Sequence, residues 1–145
     1  MVVSEFDPLK GKGGELARFA FDPLFDPNVS SAIWDLSPDG TRFAISRGSA
    51  GPLQIYSFKD HSIRLIRPKR TVDMLNLSWS ADGRAFYFSN RTKDGMEILH
   101  MDAQGNTQSL WKNSDRTFGV PSPDGRYLAI YDVKKSANYW MMENF

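Results

Sequence analysis

The chain has no cysteine, which excludes disulfides and thiolate chemistry and leaves the redox compartment open. It has only two histidines, His61 and His100, and neither sits near a second ligand at metal-binding spacing. A nucleophile elbow is also missing, because Gly48-Ser49-Ala50-Gly51 has the wrong spacing. The expectation is therefore no catalytic residue, no metal and no cofactor. No apolar run is long enough to cross a bilayer, and no signal-peptide pattern opens the chain. The compartment stays undetermined, cytoplasmic or extracytoplasmic, with any anchor or signal elsewhere in a larger protein. An excess of one charge is lacking too. Eighteen basic residues against seventeen acidic ones leave a net charge of +1, so no overall field calls for nucleic acid. No stretch keeps a helical period over about ten residues.

What the chain does have is a repeated phrase. Ser122-Pro123-Asp124-Gly125 precedes Arg126-Tyr127-Leu128-Ala129-Ile130. The same phrase stands at Ser37-Pro38-Asp39-Gly40 before Thr41-Arg42-Phe43-Ala44-Ile45, and again as Ser80-Ala81-Asp82-Gly83 before Arg84-Ala85-Phe86-Tyr87-Phe88. The three glycines are separated by 43 and then 42 residues, the period of a β-propeller blade. Proline presets φ for the second turn position, aspartate tolerates the third and bonds its own backbone, and glycine supplies the positive φ that closes the turn. Ala81 gives up only the preset φ. Behind each turn apolar residues alternate, as in Phe43 and Ile45, Phe86 and Phe88, Leu128 and Ile130, which is the pattern of a half-buried strand. Fifteen residues past each glycine lie Ile55, Ile98 and Trp140, each inside a second apolar run.

The expected class is all-β: propeller blades of four antiparallel strands, about three per chain, forming a partial propeller completed by oligomerisation. One segment over 1–145 divides into N-terminal strands and loop (1–31), a blade (32–72), a second blade (73–115) and an incomplete blade (116–145). Strands are expected at Val2–Phe6, Glu15–Phe21, Ile33–Leu36, Thr41–Ser46, Leu53–Phe58, Ile63–Arg67, Met74–Trp79, Ala85–Ser89, Met96–Met101, Thr107–Trp111, Phe118–Val120, Tyr127–Asp132 and Asn138–Glu143. Asp7 to Gly14 reads as a turn. Its Gly-Lys-Gly-Gly lacks the spacing of a phosphate loop. The site residues are structural, namely Ser37, Pro38, Asp39, Gly40, Ser80, Asp82, Gly83, Ser122, Pro123, Asp124 and Gly125. Arg64, Arg67, Lys69 and Arg70 form the one basic cluster, which reads as a solvated strand edge. Asn28, Asn76 and Asn90 begin glycosylation sequons, a pattern too common to carry weight here.

The phrases Trp79-Ser80-Ala81-Asp82-Gly83 and Ser122-Pro123-Asp124-Gly125-Arg126-Tyr127-Leu128-Ala129 resemble the TolB-type, WD-repeat-like propeller repeats of bacteria. From Ser4 to the ending Asn138-Tyr139-Trp140-Met141-Met142-Glu143-Asn144-Phe145, the chain is also similar to C-terminal propeller segments of soil-bacterial proteins. Those segments are often attached to Ser/Thr protein kinases or DNA-binding regulators. The resemblance implies a sensor or interaction domain. It carries over no kinase activity, since the Gly-rich loop, His-Arg-Asp and Asp-Phe-Gly motifs are missing.

The expected function is a non-catalytic binding and scaffold module for a protein or small ligand, not an enzyme. The alternatives are a propeller accessory to a prolyl-peptidase-like hydrolase or Ser/Thr kinase whose catalytic part lies outside this chain, and a propeller fragment of interest for its assembly alone. The expected partners are a second copy, closing a six-bladed ring by strand exchange, and an unknown protein or small ligand. Nucleic acid and a membrane segment are not expected. A nine-bladed trimer is the other closure.

Overall fold

The computed structural model describes residues 2–18, 32–47 and 51–134. These residues are all-β, without a helix. In chain order the strands are β1 (Val2–Asp7), β2 (Gly11–Arg18), β3 (Ala32–Leu36), β4 (Arg42–Arg47), β5 (Leu53–Ser57) and β6 (Ile63–Ile66), followed by β7 (Ser78–Trp79), β8 (Ala85–Thr92), β9 (Gly95–Asp102), β10 (Thr107–Asn113), β11 (Arg116–Pro121) and β12 (Leu128–Val133). β3 to β6 form one four-stranded antiparallel meander and β7 to β10 a second. Two-stranded sheets stand at either end, β1 with β2 and β11 with β12.

The two meanders exist because their alternation supplies two apolar faces. Residues paired across antiparallel strands point to the same side. Ala44 pairs with Ile55, and Phe43 with Tyr56, so β4 and β5 are apolar above and below. One face, carrying Ala44, Leu53, Ile55 and Ile66, packs on Trp79, Phe86, Phe88, Leu99 and Met101 of the second meander in a single core cluster. Phe86 is 1% exposed and its ring lies 4.4 Å from Trp79. Hydrogen bonds fix the contact. Trp79 N donates to Asp35 Oδ2 at 2.9 Å, and Trp79 Nε1 donates to the Asp35 carbonyl at 3.2 Å. β3 lies beside β7, and β7 beside β11, so the first strands of the three repeats stand side by side.

The other face of the first meander is covered in the middle by the β1–β2 hairpin. Ala17 is buried against Phe43 and Ile45, with Val3 packed beside them. Around this patch Trp34, Leu36, Ile63 and Leu65 remain exposed. At the opposite end β11 packs on β8 and β9, and a side chain at Gly119 would meet Ile98 at 3.1 Å. The far face of β11–β12 leaves Val120 and Tyr131 at 58% and 64% exposure.

Two expectations need correction. Gly11 to Gly14 is strand, not turn: β2 begins at Gly11 and the reversal is confined to Pro8-Leu9-Lys10. Asp7 Oδ1 accepts from Leu9 N and Lys10 N at 2.8 and 3.1 Å, which tightens the chain early enough for the glycines to pair back on β1. The expected strand from Met74 to Trp79 shrinks to Ser78–Trp79, with one isolated bridge from Met74 to Asn90. Between them Asn76 Oδ1 accepts the Ser89 N–H at 2.5 Å, replacing a backbone acceptor and interrupting the ladder. The other expected strands within the described residues appear, with β8 and β10 running further than the alternation suggested. Asn138–Glu143, the last part of Glu15–Phe21, and Asn28 lie outside the described residues.

Phe86→Ala should destabilise the fold by about 3–5 kcal/mol, because it empties the centre of the cluster joining the meanders. Urea unfolding would show this as a lower midpoint; an unchanged midpoint would mean that Phe86 is not part of a packed core.

Candidate functional site

The repeated phrase folds into three copies of one hydrogen-bonded device. Gly40, Gly83 and Gly125 have φ of +68°, +64° and +71°, and their N–H groups donate to the carbonyls of Ser37, Ser80 and Ser122 at 2.8, 2.8 and 2.9 Å. The serine hydroxyl donates to Asp39, Asp82 or Asp124 at 2.5, 2.6 and 2.6 Å. The same oxygen accepts from the N–H five residues on, that of Arg42, Ala85 or Tyr127, at 2.9, 2.8 and 3.0 Å. Each aspartate also accepts from the N–H two residues on. The sequence reading gave roles to Pro, Asp and Gly but none to Ser, which turns out to tie the turn to the strand.

The three turns stand in a row. A Cβ on Gly83 would lie 2.8 Å from Arg42 Nη2 and 3.8 Å from Pro38 Cδ; one on Gly125 would lie 3.1 Å from Ala81 Cβ. Ala81, the one departure from the phrase, is thus the residue Gly125 packs against. Pro123 and Pro38 join Ala81 in lining a shallow pocket along this row.

The serine hydroxyls pull the carboxyls down. Asp39 falls from 3.8 to about 2, first through Ser37, then through the Thr41 N–H and hydroxyl. Asp82 and Asp124 are lowered in the same direction, led by Ser80 and Ser122. The turns at the far ends of β5 and β9 repeat the principle; Lys59 to Ser62 reads as a turn from the sequence alone, but the bonding of its aspartate does not. Asp60 is held at about 2, led by the hydroxyls of Ser57 and Ser62, and Asp102 is lowered chiefly by the Asn106 side chain. The readable signal was an aspartate about twenty residues past Gly40 and Gly83, with Ser62 or Asn106 following it in the same turn.

Between the two meanders, on the side of these turns, runs a groove of about 690 Å³. Ile55, Ile66, Trp79 and Phe86 contribute its apolar lining. The Arg42 guanidinium lies 4.8 Å from the centre of the Trp79 ring and donates to the Gly83 carbonyl at 3.0 Å. Arg64 crosses to the Ala103 carbonyl at 2.9 Å. His100 also lines the groove and leans on the Tyr87 ring at 5.3 Å, while His61 sits in its turn at φ +57° beside the Tyr56 hydroxyl.

The basic cluster is exposed along an edge strand, as expected, and three of its members also make a seam with the second meander. Besides Arg64, Lys69 Nζ donates to Asn106 Oδ1 at 2.7 Å, and the Arg70 guanidinium pairs with Glu97. Glu97 is 3% exposed. Burial pushes its carboxyl up, but the Asn90 amide, the Ser109 hydroxyl and the Arg70 charge together bring it below its ordinary value. Asn90 is 3% exposed and bonded to both Glu97 and Asp73 N, and Asn76 is bonded to Ser89 N. Two of the three sequon asparagines, Asn76 and Asn90, therefore have structural roles. Among the described residues no group of three or more His, Asp or Glu is arranged to hold a metal.

Compared with known proteins, the chain matches no family model and no curated protein.

The turns can be tested in three ways. Gly125→Val should cost about 1 kcal/mol or more, since a β-branched residue is strained at positive φ, and Ser80→Ala about 1–3 kcal/mol, since it orphans the buried Ala85 N–H. The depressed carboxyls add stability that is fully present above their unfolded value of about 3.9 and is lost as pH falls toward the folded value. Thermal melting between about pH 4 and pH 2 should therefore fall steeply, and less steeply in Asp39→Asn, whose turn no longer titrates. Equal slopes for the two proteins would contradict the assignment.

Proposed function

We propose that the chain is a non-catalytic binding and scaffold module built of propeller blades, of the TolB-like, WD-repeat-like kind, and that a second copy completes its ring. The observation that carries the reading is the pair of half sheets at the ends. Two complete meanders stand between a two-stranded hairpin at the N-terminal side and a two-stranded sheet at the C-terminal side. Each half needs what the other supplies. β1–β2 covers the Phe43 and Ile45 side of the first meander and leaves Trp34 and Leu36 on β3 in water. β11–β12 follows β7 in the row of first strands and has its own far face exposed.

In the proposed closure β12 of one copy pairs with β1 of the next, giving a blade ordered β11–β12–β1–β2 across two chains. Val120 and Tyr131 then cover Trp34 and Leu36 of the partner. Two copies close six blades head to tail and leave no open edge at either end. The hairpin thus enters as a pair of strands where the sequence suggested one exchanged strand. The recurring aspartates are occupied within their own turns, so no catalytic role is assigned to them. Binding is left to the grooves and loops of the ring.

Native mass spectrometry at micromolar concentration should give twice the chain mass. Deleting residues 1–18, or changing Val120→Asp, should abolish the dimer and lower the melting temperature. A well-folded monomer, or a dimer indifferent to both changes, defeats the closure; a trimer would replace it with the nine-bladed form.

A further inference from the structure

We propose that the groove between the two meanders binds an extended acidic segment of a partner protein, with carboxylates on Arg64 and Arg84 and an apolar side chain against the Trp79 and Phe86 lining. The inference rests on the binding-module reading and is independent of how many copies close the ring, because both walls belong to one chain.

The chemistry of the lining selects the ligand. Arg42, Arg64 and Arg84 all border the groove. A guanidinium carries five N–H donors. The side-chain hydrogen bonds of Arg42 and Arg64 to protein go through Nη2, to Gly83 O and Ala103 O, and leave donors over. The lining sets three guanidinium groups against the carboxylates of Asp82 and Asp102, so donors outnumber acceptors in it. Asp82 takes the Ser80 hydroxyl and Arg84 N, and Asp102 takes Gln104 N, Asn106 N and Asn106 Nδ2. The groove therefore offers surplus donors beside an apolar surface, and a carboxylate is the group that accepts from a guanidinium in bidentate fashion. Its 690 Å³ lies in the range of ordinary ligand sites.

The same lining disfavours a nucleic acid. The Asp82 and Asp102 charges face the groove, and the chain as a whole has a net charge of only +1. A continuous phosphate backbone would meet both carboxylates, whereas a peptide with separated acidic side chains can place them at the arginines alone.

The test is fluorescence anisotropy with a short labelled peptide of alternating glutamate and leucine. A glutamine-for-glutamate peptide and a single-stranded oligothymidylate serve as comparisons. The acidic peptide should bind, the glutamine peptide should not, and Arg64→Gln and Arg84→Gln should each weaken binding about tenfold. Lys10→Gln, on the distant hairpin turn, should leave binding unchanged. In the unmodified protein, NMR shift changes should centre on the Ala103 and Gln104 amides. Failure to bind the acidic peptide, equal affinity in the arginine and Lys10 variants, shifts centred elsewhere, or tighter binding of oligothymidylate would each overturn the proposal. Native mass and melting recorded on the same samples separate the two claims: a folded dimer that ignores the peptide removes the groove assignment and leaves the ring.

Discussion

A sheet with apolar side chains on both faces has to be covered on both, and most of this structure follows from that constraint. The first meander presents Ala44, Leu53 and Ile55 to one side and Phe43 and Ile45 to the other. The second meander and the β1–β2 hairpin are its two covers. The second meander in turn receives β11 against Ile98. At each end the covering is incomplete. Trp34, Leu36, Ile63 and Leu65 stay in water at one, and Val120 and Tyr131 at the other. Exposed apolar surface of this kind is what the second copy covers in the proposed ring.

The turns keep the sheets in register with each other. Ser37, Ser80 and Ser122 each bind the aspartate two residues on and the backbone N–H five residues on. Each turn thereby becomes a rigid block that can stand against the next, Pro38 beside Gly83 and Ala81 beside Gly125. The groove lies beside that row, between the two meanders. Its cations are Arg42 and Arg84 next to the row and Arg64 on β6, so the repeat that builds the fold also supplies two of the three.

Much of this was legible in the sequence because turn chemistry and period-two alternation are local. The strands after Gly40, Gly83 and Gly125 needed only Phe43 and Ile45, Phe86 and Phe88, or Leu128 and Ile130 to be recognised. Where a side chain replaced a backbone partner, the reading failed. Asn76 taking the Ser89 N–H shortened β7, and Asp7 taking Leu9 N and Lys10 N moved the hairpin turn away from the glycines. The seam made by Arg64, Lys69 and Arg70 was invisible for another reason. Its partners Ala103, Asn106 and Glu97 lie 27 to 39 residues away, and only the packing of the two meanders brings them together.

The central claim is that β12 of one copy pairs with β1 of another. Amide hydrogen exchange measured at high and low protein concentration tests it most directly. The account predicts that β1 and β12 are protected in the concentrated sample and lose protection together on dilution, while β8 and β9 stay protected throughout. Protection of β1 and β12 that does not change with concentration would contradict it.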